Sequence, residues 1–177
     1  MVWRLVETNR VALAQVSEQA DTDMLTGLAN RRGLERRLSR LRPLADEGIG
    51  IAFMDLDLFK QINDTYGHDA GDELLIQIGE RLAALTRAED VVARIGGDEF
   101  IFVGRGRRDE IAALADRLTQ AVAGTPFVLT GGVQITASVS VGFSHMASDE
   151  SDLGEFISRA DHAMYQAKHV GKKQDLV

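Results

Sequence analysis

The chain has 177 residues, 45% of them hydrophobic and 27% charged, a formal net charge of −7 and no cysteine. That length suits one domain with a sizeable core, the acidity argues against binding along duplex nucleic acid, and the lack of cysteine excludes disulfides and thiolate zinc sites. No uninterrupted apolar stretch nears the ~18 residues of a membrane-spanning helix, and the N-terminus carries no secretory signal pattern, so the expectation is a cytoplasmic protein with no membrane segment.

Residues 1–22 are predicted as one polar, alanine-containing helix, with Val2, Leu5, Ala12 and Val16 at loosely heptad spacing. Two roles stay open for it: a terminal helix docked on its own domain, or the tail of a coiled-coil stalk that pairs two copies or joins an input module. Helical periodicity resumes over 30–45 through Leu34, Leu38 and Leu41 and fades at Pro43 and Gly48. The apolar run 49–54 ends in Asp55-Leu56-Asp57, the pattern of a buried strand whose carboxyl end opens into a cleft. A short helical turn over 59–66 precedes a helix over 69–86 that turns Leu74, Leu75, Ile78, Leu82 and Leu85 inward. A hairpin over 91–104, a helix over 111–122, strands at 127–129 and 134–143, and a helix over 153–168 complete the chain. This order predicts an α+β fold, an antiparallel-rich sheet flanked by helices in a nearly ferredoxin-like arrangement.

Three clusters carry candidate chemistry. The hairpin contains Arg94-Ile-Gly-Gly-Asp-Glu-Phe100. Gly96 and Gly97 allow positive φ and a bare backbone, so a bulky ligand can approach while Asp98 and Glu99 offer oxygens suited to hard divalent cations. Asp55 ends a strand expected beside this hairpin, so the three carboxylates would share one edge and raise one another's pKa until a cation relieves the repulsion. Either motif alone is ordinary turn chemistry; together they point to metal.

The second cluster runs from Asp57 to Asp72. A short strand-to-helix connection leaves backbone N–H groups free for phosphate, with Lys60 nearby. Asn63 and Asp72 suit a base edge, because a carboxylate accepting two N–H bonds from guanine would be left unmatched against adenine. Their plain alternatives are a turn residue for Asn63 and first-turn helix chemistry for Asp72. His68 is read as a hydrogen-bonded turn residue, since no second histidine stands at ligand spacing. The third cluster is Lys168, His169, Lys172 and Lys173 around Gly171, which either complements a helix C-terminus or binds phosphate.

In order and spacing, four blocks resemble the GGDEF-domain diguanylate cyclases. They are Asp23-Met-Leu-Thr-Gly-Leu-Ala-Asn-Arg31; Phe53-Met-Asp-Leu-Asp-Leu-Phe-Lys-Gln-Ile-Asn-Asp-Thr-Tyr-Gly-His68 with Gly71-Asp72; Arg94 to Phe100 as quoted; and Ala160-Asp-His-Ala-Met-Tyr-Gln-Ala-Lys168. The resemblance runs from about Asp21 to Lys173. It implies a domain over 21–177 related to the adenylyl cyclase and polymerase palm, preceded in residues 1–20 by a signalling helix fed by a sensor domain. It further implies condensation of two GTP into cyclic di-GMP and two pyrophosphates by a homodimer, each protomer holding one GTP. By matching position, Asp55, the Leu56 carbonyl, Asp98 and Glu99 would hold magnesium or manganese, two ions per GTP site, with Asp98 or Glu99 helping to deprotonate the 3′-hydroxyl. Asn63 and Asp72 would read guanine, Gly96 and Gly97 would leave room for GTP, and the backbone around Phe59 and Lys60, with Lys168 and Lys172, would bind the β- and γ-phosphates.

Arg87-Ala-Glu-Asp90, five residues before Gly96, resembles the family's RxxD site for product inhibition. Arginine's fork suits phosphate oxygens and stacks on guanine, while Asp90 can accept from the base edge; the alternative is a plain surface Arg–Asp pair. Arg42 and Arg117 are candidates for the partner arginine. Gly171-Lys-Lys173 departs from the family's Gly-Arg-Asn, keeping positive charge but losing the bidentate fork. The family's usual upstream sensor domain is not found before the cyclase blocks, so the expectation is either an excised fragment or regulation through residues 1–20. Two other functions are weighed: a catalytically inactive receptor for cyclic di-GMP, against which the intact Asp55, Asp98 and Glu99 argue, and a cyclase of different base choice, against which Asp72 argues.

Overall fold

In the structure, a computed structural model that describes residues 21–41, 46–147 and 152–174, the apolar run after Gly48 forms β1, Ile49–Leu56. Its apolar residues are continuous because both faces are covered. It pairs antiparallel with β3 (Glu99–Arg105) on one side and β6 (Val139–Met146) on the other, and β2 (Val91–Gly96) lies outside β3. The sheet order is β2-β3-β1-β6, with helices crossing between β1 and β2 and again between β3 and β6. This is the expected ferredoxin-like split βαβ topology.

On one face, Ala52, Met54, Leu56, Phe100 and Phe102 pack against α3 (His68–Ala84) and α4 (Arg108–Ala123) through Leu74, Leu75, Ile78, Ile111 and Leu118. On the other, Ile49, Ile51, Ile101 and Val103 meet α1 (Arg31–Leu41) through Leu34 and Leu38 and α5 (Leu153–Gln174) through Phe156 and Ala160. Each of the larger of these side chains, fully buried, contributes about 1.5–3 kcal/mol. Gly142 lets α5 lie directly on β6, since a β-carbon there would strike the backbone of Ala160, Ala163 and Met164. That close approach carries Lys168 to the end of β1. Between β1 and α3 lies the short helix α2 (Phe59–Tyr66).

Several boundaries differ from the expected ones, each for a physical reason. The predicted helix over 1–22 falls outside the described residues except at Asp21 and Thr22, which form a turn and a bridge to Ala29. The chain bends back there because the buried Asp21 carboxylate pairs with Arg32 and Arg36 and its carbonyl accepts from the Asn30 N–H. Asn30 then caps α1, accepting from the Gly33 N–H at 3.0 Å, so the helix starts at Arg31. Residues 42–45, Arg42 among them, lie outside the described set. The helix expected over 69–86 runs His68–Ala84. That expected over 111–122 starts at Arg108, because Glu110 reaches back to accept from the Arg107 N–H at 3.0 Å.

The strand expected over 134–143 is two elements. β5 (Gln134–Ile135) pairs with β4 (Phe127–Val128) in a separate ladder, which α3 holds through Gln77, donating to the Val128 carbonyl, and Glu73, accepting from the Thr130 N–H. β6 begins only at Val139, after the Ser138 carbonyl has been taken by the Asp57 N–H. α5 continues past Lys168 to Gln174 through Gly171; the side chains of His169, Lys172 and Lys173 are outside the described set. No helix among the described residues is long and apolar enough to cross a membrane.

Candidate active site

Strand register builds the acidic edge. Asp55 lies directly across from Glu99 in the β1–β3 ladder, so both side chains project from the same sheet face. The Leu56 N–H donates to the Asp98 carbonyl at 3.2 Å, tying the end of β1 to the hairpin tip. The tip turns at Gly97, whose φ of 53° suits glycine. Nothing lies within 4 Å of where a β-carbon would stand on Gly96 or Gly97, so the tip borders open space.

Charge at this edge is unbalanced. Burial, and then the charge of Asp55, push the Asp98 carboxyl above the usual carboxylate range. Asp55 is 7% exposed and accepts from the Lys168 ammonium at 2.5 Å. Burial works against the Lys168 charge, but the hydrogen bond and charge of Asp55, with Asp98 and Asp57 behind it, hold the ammonium above its usual pKa. Lys168, expected at phosphate, is also the counterion of Asp55. Among the described residues no three acidic or imidazole side chains converge on a preformed cation site; Asp55 and Asp98 are the acidic pair a divalent cation would find. Glu99 is exposed and borders a cavity of about 350 Å³ between Phe53, Ile95 and α5.

Just past the end of β1, α2 begins without a side-chain cap. Its N-cap is Leu58, in the left-handed conformation at φ 58° and ψ 21°, and leucine has no oxygen to offer. The first amides of the helix, at Phe59 and Lys60, have no partner within it and are the groups expected to meet phosphate. Asn63 sits one turn on, with its Oδ1 buried, unpartnered and pressed against Gly71, where a β-carbon would overlap it. Asp72 follows Gly71 and is exposed; α3 receives no side-chain cap, so Asp72 is not spent on the helix start. His68, the first residue of α3, is exposed.

Arg87 and Asp90 meet in a turn after α3, but not as a side-chain pair. The Arg87 backbone N–H donates to Asp90 Oδ2 at 2.9 Å, and the Asp90 N–H to the Arg87 carbonyl at 3.1 Å. The Arg87 side chain is exposed, while burial raises the Asp90 carboxyl despite that turn bond.

Two arrangements escaped the sequence reading. Arg94 donates from Nε and Nη2 to the Gly97 carbonyl at 2.9 and 2.8 Å and from Nη1 to both Asp23 oxygens at 3.0 and 3.1 Å. Asp57, read as a strand-ending turn residue, accepts from Ser138 and Ser140. The only sequence signal for either was a charged residue inside a quoted motif that had been given no role of its own.

A ferredoxin-like sheet carrying carboxylates on a hairpin edge defines a palm-type α+β domain. The family model for "Diguanylate cyclase, GGDEF domain" matches residues 20–174. Diguanylate cyclase DgcP of Escherichia coli (strain K12) is 40% identical over 178 residues, covering 98% of this chain and 52% of that protein. Response regulator PleD of Caulobacter vibrioides (strain NA1000 / CB15N) is 37% identical over 160 residues, covering 88% of this chain and 35% of that protein. The coiled coil and GGDEF domain of DgcB from Caulobacter crescentus, solved in complex with c-di-GMP, superposes with a TM-score of 0.84 at 30% identity, over 96% of this chain and 92% of that one. The chain belongs to the GGDEF family of diguanylate cyclase domains. It spans about half the length of DgcP and about a third of PleD.

Proposed function

We propose that this domain condenses two GTP into cyclic di-GMP, releasing two pyrophosphates, as a homodimer in which each protomer holds one GTP. The observation that carries the reading is the acidic edge, where Asp98 is held above its usual pKa by burial and by Asp55. Asp55, the Leu56 carbonyl, Asp98 and Glu99 would hold magnesium or manganese there, two ions per site. Bound cations neutralise phosphate charge and lower the pKa of the attacking hydroxyl.

The remaining work falls to the chain's own residues. The buried, unpartnered Asn63 Oδ1 lacks an N–H donor, which a guanine edge supplies, and Asp72 stands just beyond Gly71 for the other base donors. The Phe59 and Lys60 amides receive triphosphate oxygens, with Lys168 and Lys172 as cations. Each 3′-oxygen bonds to the α-phosphorus of the partner's GTP as the bond to pyrophosphate breaks, and the hydroxyl proton passes to Asp98 or Glu99. One half-site holds one GTP and cannot complete this alone. Product bound at Arg87 and Asp90 inhibits. The domain works in the cytoplasm under an input module reached through residues 1–20.

Purified protein incubated with GTP and magnesium, followed by nucleotide separation, tests the reading. Cyclic di-GMP is the expected product, and Asp98→Asn or Glu99→Gln should cut turnover by about 10²–10³-fold or more with circular dichroism unchanged. No product at dimer-forming concentrations overturns the reading; retained cyclic di-GMP binding without turnover would make the domain a receptor.

A further inference from the structure

Asp55 and Asp57 lie two residues apart and differ in what holds them. Asp55 meets Lys168 and the acidic edge. Asp57 Oδ2 accepts from Ser138 Oγ at 2.9 Å and Oδ1 from Ser140 Oγ at 2.8 Å, so both oxygens are engaged by the start of β6. Its own N–H donates to the Ser138 carbonyl at 3.0 Å. The residue before it is tied to the hairpin tip through the Asp98 carbonyl. The residue after it is Leu58, in a left-handed conformation that a side-chain-bearing residue resists, with 57% of its surface exposed and little packing to hold it there.

We infer that Asp57 is a positioning residue: with Ser138 and Ser140 it clamps the connection between β1 and α2 in the shape that presents the Phe59 and Lys60 amides to the triphosphate. The inference rests on the cyclase reading for what the amides receive. A carboxylate at this position is easily taken for one more cation ligand, since it repeats Asp55 at strand spacing on the same side of the chain. The serines assign it differently. They hold the side chain against β6, and Leu58 takes its left-handed turn from a fixed neighbour.

Asparagine separates the two roles. In Asp57→Asn one amide oxygen still accepts from a serine and the amide N–H₂ donates to the other serine once its hydroxyl rotates, so the clamp survives without the charge. Asp57→Ala and the double variant Ser138→Ala/Ser140→Ala both remove it. The clamp predicts a GTP KM raised about tenfold in the alanine and double-serine variants, with kcat changed less, and recovery of the KM in Asp57→Asn. If Asp57→Asn instead loses kcat, as the cyclase reading expects of Asp55→Asn, Asp57 acts through its charge and the inference falls. Hydrogen exchange at residues 58–62 supplies a readout that needs no nucleotide. Exchange should quicken in Asp57→Ala and in the double-serine variant but not in Asp57→Asn, and unchanged exchange in Asp57→Ala overturns the clamp. Failure of the cyclase reading shows separately, as wild-type protein that makes no product.

Discussion

Leu58 shows how much a single residue can conceal. Nothing in leucine announces a left-handed backbone, yet it sits at φ 58° and ψ 21° at the start of α2. That conformation costs a non-glycine residue about 1 kcal/mol or more, and the exposed side chain recovers little. Asparagine tolerates the region, so Leu58→Asn should stabilise the domain by about 0.5–1 kcal/mol and raise Tm by roughly 2 °C. Thermal unfolding checks this, and an unchanged or lowered Tm would mean that the loop does not hold Leu58 as described. The acidic residues were legible because their chemistry is in their type: Asp55, Asp98 and Glu99 were expected on one edge, and the Asp55–Glu99 register puts two of them there. Lys168 was legible as a cation near the site, but not as the partner of Asp55. That pairing depends on α5 lying tight against β6 at Gly142, a contact between segments distant in sequence.

The hairpin is braced as an element, and its brace starts outside it. Arg94, with a side chain 12% exposed, joins the Gly97 carbonyl at the tip to Asp23, near the first described residues. Burial alone would raise the Asp23 carboxyl, but hydrogen bonds from Thr26 and Arg94 outweigh it and hold the group below its ordinary 3.8. A carboxylate whose folded pKa is lowered adds stability above its unfolded pKa and loses it as pH falls through the folded value. The wild-type domain should therefore lose this contribution on acidification below about pH 3.8, from that unfolded reference. Asp23→Asn should cost about 2 kcal/mol at neutral pH and flatten the stability curve in that acid range. Unfolding measured across pH decides it, and parallel curves for the two proteins would remove Asp23 from the brace. The same scale explains the misplaced boundaries. The predicted 134–143 strand alternates well enough, but its first two residues pair with β4 and its end with β1, and residue pattern does not name partners. α4 began early because a side chain reached back to Arg107, a capping signal hidden in a charged stretch.

At the scale of the whole molecule, β2 runs from just after Asp90 to the hairpin, a span of about 20 Å for its 6 residues. A ligand at Arg87 and Asp90 is thus well removed from the acidic edge of its own protomer, and inhibition there would work by limiting how two domains face each other. Arg87→Ala should let cyclic di-GMP accumulate several-fold beyond the wild-type plateau, as followed by nucleotide separation over time. An unchanged plateau would leave Arg87 a plain surface residue beside an Asp90-closed turn. The chain by itself determined the fold class, most of the order of elements and which side chains are candidates for binding metal and base, because periodicity and side-chain type are local properties. Only the tertiary structure decided which charges neutralise each other, that Asp57 faces Ser138 just before β6 and Ser140 within it, and that Arg94 spans from the hairpin tip to Asp23. Those outcomes depend on which strands become neighbours and how closely a helix can approach a bare glycine, and both follow from the packing of the whole sheet.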